Sequence, residues 1–328
     1  MATIKDVARY TGLSIATISK YLNGGNVLED NRRRIGAAIE QLDYKVNHAA
    51  RALKTNKTMT VGVLLPSLYT PFFALICADI EQFLKAHGYS MIVCSYHDDP
   101  AEEILKLRFL QGLNIDGIIV APTGVTADEL TALKTPIVLM DRSIPGLDSV
   151  VTDNIAAVHD AVEELIVHGH RRIGMIVGPL AVTTAFERKL GYERAFADYN
   201  LTVDENLIRV GGYDIASGYR EMLELLNMDP PPTAVMASSH DITVGAIMAA
   251  YERKLKIPED ISFVGYDEEQ ITKVFDPPVT TVLQPMEEIA QSVTELLVRR
   301  MGGDDNGHPQ LIRLKTTLVR HQSIGTIG

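Results

Sequence analysis

From Thr60 onward the chain alternates two textures. Short apolar runs, TVGVLL (60–65), SMIVC (90–94), GIIVA (117–121), IVLM (137–140), RIGMIV (172–177), AVMAS (234–238) and ISFVG (261–265), are separated by stretches in which apolar residues recur every three to four positions. Those stretches, at about 72–87, 100–113, 155–168, 185–199, 214–228, 241–255 and 286–301, predict helices. The short runs are continuous rather than alternating, which suits strands covered on both faces, so the pattern predicts a parallel α/β architecture. There are more strands than one typical sheet holds and no strong linker, which predicts two doubly wound halves with a ligand crevice at the strand C-termini.

Before Thr60 the texture is different. Ile4, Val7 and Ala8 make a narrow apolar side that Gly12 ends, with Thr3 as its cap. Ile18, Tyr21 and Leu22 share a side of the next segment, SIATISKYLNGG, and Ile35, Ala38, Ile39 and Leu42 mark a third helix for the first two to pack on. In SIATISKYLNGG, Ser14 can cap the start and Asn23-Gly24-Gly25 can end the helix in left-handed backbone. Ala16, Ser19, Lys20 and Asn23 then lie opposite the apolar side, with Ile15 at the border. Two short helices joined by a Gly-containing turn fit a helix-turn-helix, whose second helix enters the DNA major groove. They fit an ordinary helical hairpin in a core equally well.

Charge changes this picture. The 328 residues carry a net −11, but residues 1–58 hold ten Lys or Arg against five acids, a net +5 that leaves −16 on the rest. A small basic module on a large acidic body points to phosphates at the head alone. The triplet Arg32-Arg33-Arg34 reads by itself as a solvated helix face. At 46% hydrophobic and 22% charged the chain can fill two or three cores. Two cysteines, Cys77 and Cys94, give no disulfide framework and no cysteine zinc site. The start MATIKD lacks a charged leader with an apolar stretch behind it, and no apolar run reaches the roughly 18 residues of a membrane span. The expectation is a cytoplasmic protein with no membrane partner.

Nothing points to catalysis. Asp267-Glu268-Glu269 supplies adjacent carboxylates, but a glycosidase needs two at a defined separation. His168-Gly169-His170 is a weak metal signal that a solvated turn explains. No nucleophile elbow or P-loop occurs. The expectation is a non-enzyme without cofactor or metal.

TIKDVARYTGLSIATISKYLN, NHAARAL, GHRRIGMIVGPL, PTAVMASSHDITVGAI, IPEDISFVGYD and PPVTTVLQP occur in an order and spacing that resembles, end to end, the lactose-repressor family of transcription regulators. The resemblance implies a helix-turn-helix head (1–46), a hinge helix and linker (47–58) and a core (59–328) similar to periplasmic sugar-binding proteins. In the core the chain would cross between subdomains near Asp153, Gln284 and Thr316. One subdomain would combine about 60–153 with 284–315, the other about 154–283 with 316–328. It further implies a homodimer on a double-stranded, palindromic operator, controlled by a small sugar-like effector and serving carbohydrate genes. A regulator of the catabolite-control type, answering to a phosphorylated partner protein, fits the same residues.

The DNA-contacting set so implied is Thr3, Ser14, Ile15, Ala16, Thr17, Ser19, Lys20 and Asn23 in the head, with Ala50, Leu53 and Lys54 in the hinge. Lys20 can donate to guanine O6 or N7, and Ile15 and Ala16 offer apolar surface to a thymine methyl. Leu53 is the implied wedge of the minor groove, on a segment too short to be a stable helix alone. The implied effector set is Ser67, Phe72, Phe73, Asp141, Asp153, Thr184, Arg188, Tyr213, Ser239, Asp267 and Gln284. Aromatic plates suit apolar sugar faces, and Arg or Asp suits paired hydroxyls. Asp141 and Asp153 read equally well as helix caps. Where the family has Asn-Asp before a helix, this chain has Ser239-His240-Asp241, so a hydroxyl would replace an amide ligand. Leu53→Ala is expected to weaken operator binding and flatten the DNA bend in a gel-shift and bending assay; intact affinity and bend would contradict the wedge.

Overall fold

The computed structural model describes residues 2–22, 25–45, 57–267, 273–303 and 307–327. The chain divides into two compact units, Met1–Thr58 and Met59–Gly328. The predicted hinge segment lies almost entirely outside the described residues, as do Asn23, Glu268 and Glu269.

The first unit is α1 (Ile4–Thr11), α2 (Ile15–Leu22) and α3 (Glu29–Gln41). Thr3 and Asp6 close the start of α1 reciprocally. The Thr3 N–H and hydroxyl both donate to Asp6 Oδ2, at 2.9 and 2.7 Å, which holds the Asp6 carboxyl below its usual range. Gly12 ends α1 at φ 69°, a left-handed conformation that glycine adopts without a Cβ clash. Val7, Ile18, Ile35 and Ala38 are wholly buried and form the core, with Tyr21, Leu22 and Leu42 packed around them. Arg34 is more than a solvated arginine, because its Nη2 donates to the Thr11 carbonyl and so fastens α3 to the end of α1.

The second unit contains two six-stranded sheets. In the first, β1 (Thr60–Leu65), β2 (Ser90–Ser95), β3 (Gly117–Val120), β4 (Ile137–Met140), β5 (Ser149–Thr152) and β11 (Leu311–Leu314) run parallel in the order β11-β5-β4-β3-β1-β2. In the second, β6 (Ile173–Val177), β7 (Ile208–Val210), β8 (Ala234–Ala237), β9 (Ser262–Tyr266), β10 (Thr280–Leu283) and β12 (Thr317–Val319) lie in the order β12-β10-β9-β8-β6-β7. The chain therefore passes between the sheets after β5, after β10 and after β11.

The covering helices are α4 (Pro71–Ala86), α5 (Pro100–Gly112), α6 (Ala127–Thr131), α7 (Asn154–Val167), α8 (Thr183–Asp198), α9 (Ile215–Leu226), α10 (His240–Glu252) and α11 (Met286–Met301). Their starts are written locally: Pro71 and Pro100 occupy first turns, where the missing N–H costs nothing, and Asp99, Asp214 and Ser239 accept hydrogen bonds from the N–H groups they cap. Each face of both sheets is covered by its own apolar cluster.

The sequence pattern locates every long helix and the central strands, and it overlooks β5, β7, β10, β11 and β12. Those strands are short or mix Thr and Arg among apolar residues; β7, β11 and β12 lie at sheet edges, whereas β5 and β10 are interior strands of four residues. One expectation is corrected: the second sheet is not wholly parallel, since β12 pairs antiparallel with β10. β11 runs parallel to the first sheet and leaves it at the strand C-termini, which face the cavity, and the two residues 315–316 deliver β12 to the C-terminal end of the second sheet, so β12 runs against β10.

Ile18→Ala removes one of four wholly buried residues of the small core and is expected to cost the head about 2–5 kcal/mol. Amide exchange should accelerate across α1–α3 while the two sheets keep their protection; unchanged exchange in the head would contradict this core.

Candidate functional site

The strand order predicts where a pocket must be, because open parallel sheets leave a crevice beyond their strand C-termini. Residues following β1, β2 and β4 from the first sheet, and β6, β7, β8, β9 and β10 from the second, line one cavity of about 300 Å³. Its apolar wall is Phe72 and Phe73 at the start of α4, rings 5.0 Å apart and nearly edge-on, with Tyr69 on the rim. Opposite stands Tyr213, whose hydroxyl is 3.2 Å from Thr184 Oγ1. Gly178 makes room for that tyrosine, since a Cβ there would lie 2.3 Å from its ring.

Arg188 is the buried cation of the second half. It sits one turn after Thr184 on α8, only 4% exposed, with its guanidinium 4.0 Å from the centre of the Tyr266 ring. Nε donates to Asn154 Oδ1 at 2.9 Å and Nη1 to the Ser238 carbonyl at 2.5 Å. Burial opposes its charge, but Tyr266, Tyr213, Asp267 and Asp141 outweigh that and hold it protonated beyond its usual range. A desolvated cation over an aromatic face is worth about 2 kcal/mol or more.

Asp267 follows β9 and Asp141 follows β4, and both take left-handed backbone, φ 74° and 67°. The conformation is held by strand-like hydrogen bonds, from Asp267 N–H to Val282 O at 2.7 Å and from Asp141 N–H to Val150 O at 3.0 Å. Gln284 Nε2 donates to Asp267 Oδ1 at 2.6 Å. Burial pushes both carboxyls up, against the pull of Arg188 on Asp267 and of Arg142 on Asp141. Arg142 Nε lies 3.4 Å from Asp141 Oδ2 without an aligned hydrogen bond, and Arg142 Nη1 donates to Pro122 O at 2.9 Å. Asp241, in the first turn of α10, is also raised by burial. Five carboxylates, Asp98, Asp141, Asp214, Asp241 and Asp267, face two arginines around this cavity. The arrangement can present hydrogen-bond acceptors to hydroxyls over an aromatic plate, and it disfavours an anion.

Ser67, Phe72, Phe73, Asp141, Thr184, Arg188, Tyr213, Ser239, Asp267 and Gln284 are brought together in this cavity. Asp153 is the correction: its carboxylate caps α7, accepting from Ala156 N–H at 3.1 Å, and it does not line the cavity. Arg142, Asp241, Asp98 and Tyr69 line it without having been singled out. Arg142 is the third residue of MDR, two positions past the end of the buried strand β4. His168 and His170 do not make a solvated turn. His170 is 2% exposed, with Nδ1 2.9 Å from Thr233 Oγ1 and Nε2 3.1 Å from Gly325 O, and so pins the C-terminal segment. Among the described residues, only His159, Asp160 and Glu163 cluster closely enough to suggest a metal, and His159 spends its nitrogens on Asp160 and Asp198.

In the head, Ser14 Oγ accepts from Thr17 N–H at 3.1 Å and contacts Thr17 Oγ1 at 2.9 Å. Ile15, Ala16 and Lys20 are exposed on α2 while Ile18 is wholly buried, so Ile15, 41% exposed, does not turn into the core. Thr17 and Ser19 are half-buried. Thr3 is engaged by Asp6 as described. Asn23, Ala50, Leu53 and Lys54 fall outside the described residues.

Residues 3–47 match the model of bacterial regulatory proteins of the lacI family, and residues 162–324 that of a periplasmic binding protein-like domain. The HTH-type transcriptional repressor PurR of Haemophilus influenzae (strain PittEE) is 32% identical over all of both chains. Among solved structures, the transcriptional regulator CelR in complex with cellobiose is 28% identical with a TM-score of 0.75, covering 98% of this chain and 100% of that one. The lac repressor dimer bound to operator and the anti-inducer ONPF is 24% identical with a TM-score of 0.87 and covers 98% of each, a likeness of fold.

Because burial raises the Asp267 carboxyl, its ionisation opposes folding, and the stability it costs grows as pH rises through its folded pKa. Asp267→Asn removes the charge, still accepts from Gln284 and tolerates φ 74°, so it is expected to melt at or above the wild type at pH 7. Asp267→Ala should melt lower, since left-handed backbone costs alanine about 1 kcal/mol. An Asn variant that melts well below the wild type would contradict this reading.

Proposed function

The chain belongs to the lacI family of bacterial regulatory proteins, as a transcriptional repressor with a helix-turn-helix DNA-binding head, and from that premise we propose that it answers to a small unphosphorylated sugar. The observation that carries this is the single cavity in which Phe72 and Phe73 face Asp141, Arg142, Arg188 and Asp267. Its volume stands at the lower end of the roughly 300–1,000 Å³ of small-molecule sites, a size for a monosaccharide. The surplus of carboxylates over arginines supports a neutral polyol over a phosphate ester. The relative CelR, in complex with cellobiose, supports the same chemical class.

The protein binds a palindromic operator as a homodimer in this proposal. Exposed apolar residues on the covering helices, Leu105 and Phe109 on α5 and Met248 and Tyr251 on α10, supply surface for a second copy. The exposed edge of α2, with Ile15, Ala16 and Lys20, reads the major groove, and the hinge segment 47–58 reads the minor groove. The core 59–328 works as two subdomains, about 60–153 with 284–315 and about 154–283 with 316–328, in the cytoplasm. The sugar acts by preferring one relative orientation of these subdomains, since a ligand shifts an equilibrium only through differential affinity.

The test is operator binding by the purified protein, titrated with unphosphorylated pentoses and hexoses, their phosphates, and a phosphorylated partner protein. One of the unphosphorylated sugars is expected to change operator affinity, and Arg188→Ala to abolish that response with basal operator binding intact. Lys20→Ala should relax preference at one base pair of a randomised operator. A response to the phosphoprotein alone would overturn the sugar reading in favour of catabolite control, and a normal response in Arg188→Ala would overturn the site.

A further inference from the structure

The cavity is wired to the places where the chain passes between the two sheets. Arg188 Nε donates to Asn154 Oδ1 at 2.9 Å, and Asn154 Nδ2 donates to Glu187 Oε2 at 3.0 Å. Glu187 Oε1 in turn lies 3.3 Å from Arg313 Nη2, and Arg313 Nη1 reaches the Thr152 carbonyl at 3.4 Å. On the other side of the cavity, Gln284 takes Asp267 with its amide nitrogen and accepts from Thr152 Oγ1 at 2.9 Å with its oxygen. Both relays thus converge on Thr152, the last residue of β5. Beside it, Asp153 N–H donates to Leu314 O at 2.9 Å and joins the first passage to the third.

One contact in this ring differs from the others in kind. Glu187 and Arg313 form an ion pair between α8, on the second sheet, and β11, in the first. Neither residue lines the cavity, yet Glu187 holds the asparagine that holds Arg188. Hydrogen bonds tolerate only a few tenths of an ångström and a few tens of degrees before they weaken steeply, so the ring is satisfied in one relative orientation of the halves. Glu187 is half-buried and Arg313 exposed, and an ion pair shared between the halves is where a change of orientation is felt as charge separation.

We infer that Glu187 and Arg313 are positioning residues that carry occupancy of the cavity, through Asn154 and Arg188, to the relative orientation of the two halves. The inference rests on the sugar reading for its effector, but the ring is a property of the protein without ligand. A ligand that draws on Arg188 pulls Asn154, and Asn154 can follow only by shifting Glu187 against Arg313. Glu187→Gln keeps an acceptor for Asn154 and removes the charge that Arg313 faces, so it separates coupling from packing. Arg320 and Glu164 form a second ion pair, 2.8 Å, with both partners on second-sheet elements, and provide the control.

The experiment measures the ratio of operator affinities with and without saturating sugar in wild type, Glu187→Gln, Arg313→Gln, the double variant and Arg320→Gln. In both single variants the ratio is expected to fall by about tenfold, within the usual range of allosteric coupling, while sugar affinity changes little. The double variant should lose no more than either single one, as partners in one contact are non-additive. Arg320→Gln should respond like the wild type. Amide exchange of Asp153 without any sugar gives a second readout, expected to accelerate in Glu187→Gln and not in Arg320→Gln. Retained coupling in the single variants of a responsive wild type, or unaltered exchange at Asp153, would overturn the inference. A wild type deaf to every sugar would instead count against the effector reading, leaving the exchange measurement to judge the ring.

Discussion

A single desolvated arginine sets the terms for the whole core. Arg188 could not remain charged between two sheets without Tyr266 beneath it, the Ser238 carbonyl and Asn154 to take its protons, and carboxylates from both halves within reach. Removing a partner of a buried charge costs about 3–5 kcal/mol, so each of these groups is constrained by the others. The arginine also gives the cavity its logic. Its partners come from α7, β8 and β9 of one half, while Asp141 approaches from the other, so the electrostatics of the site and the relative placement of the halves are one problem.

That placement follows from connectivity. Strands exit their sheets at the same end in both halves, so loops from eight strands converge on one space. The three passages after β5, β10 and β11 lie beside it, and Gln284 and Thr152 make a direct hydrogen bond there. A molecule that binds in this space touches residues attached to both sheets at once. The walls of the site thus belong to two bodies, and the head carries a charge opposite to that of the core.

How much of this was legible in the chain depends on which force fixes each residue. β1, β3, β4, β6, β8 and β9 announce themselves because burial on both faces demands continuous apolar runs. β11 does not, because an edge strand alternates Leu311 and Arg313 outward with partly covered neighbours, and β12 is only three residues long. In the site, Asp267 and Arg188 were readable from strand ends and a resemblance. Asp153 was not separable from them, because an aspartate beside a helix start serves equally as cap or ligand until the Ala156 N–H is seen to claim it. Arg142 carries no local mark of its place, since nothing in MDR says that two adjacent side chains, Asp141 and Arg142, line the same cavity. The relay through Glu187 and Arg313 joins residues 126 positions apart and has no local signature at all.

Linkage gives the most direct test of the central claim, that occupancy of the cavity around Arg188 and the grip of the head on DNA are two ends of one equilibrium. Calorimetric titration of the effector sugar into the free protein and into its operator complex measures both ends independently. The account predicts that the sugar's dissociation constant differs between the two by the same factor by which the sugar changes operator affinity, as reciprocity requires. Equal sugar affinity for free and DNA-bound protein would contradict it.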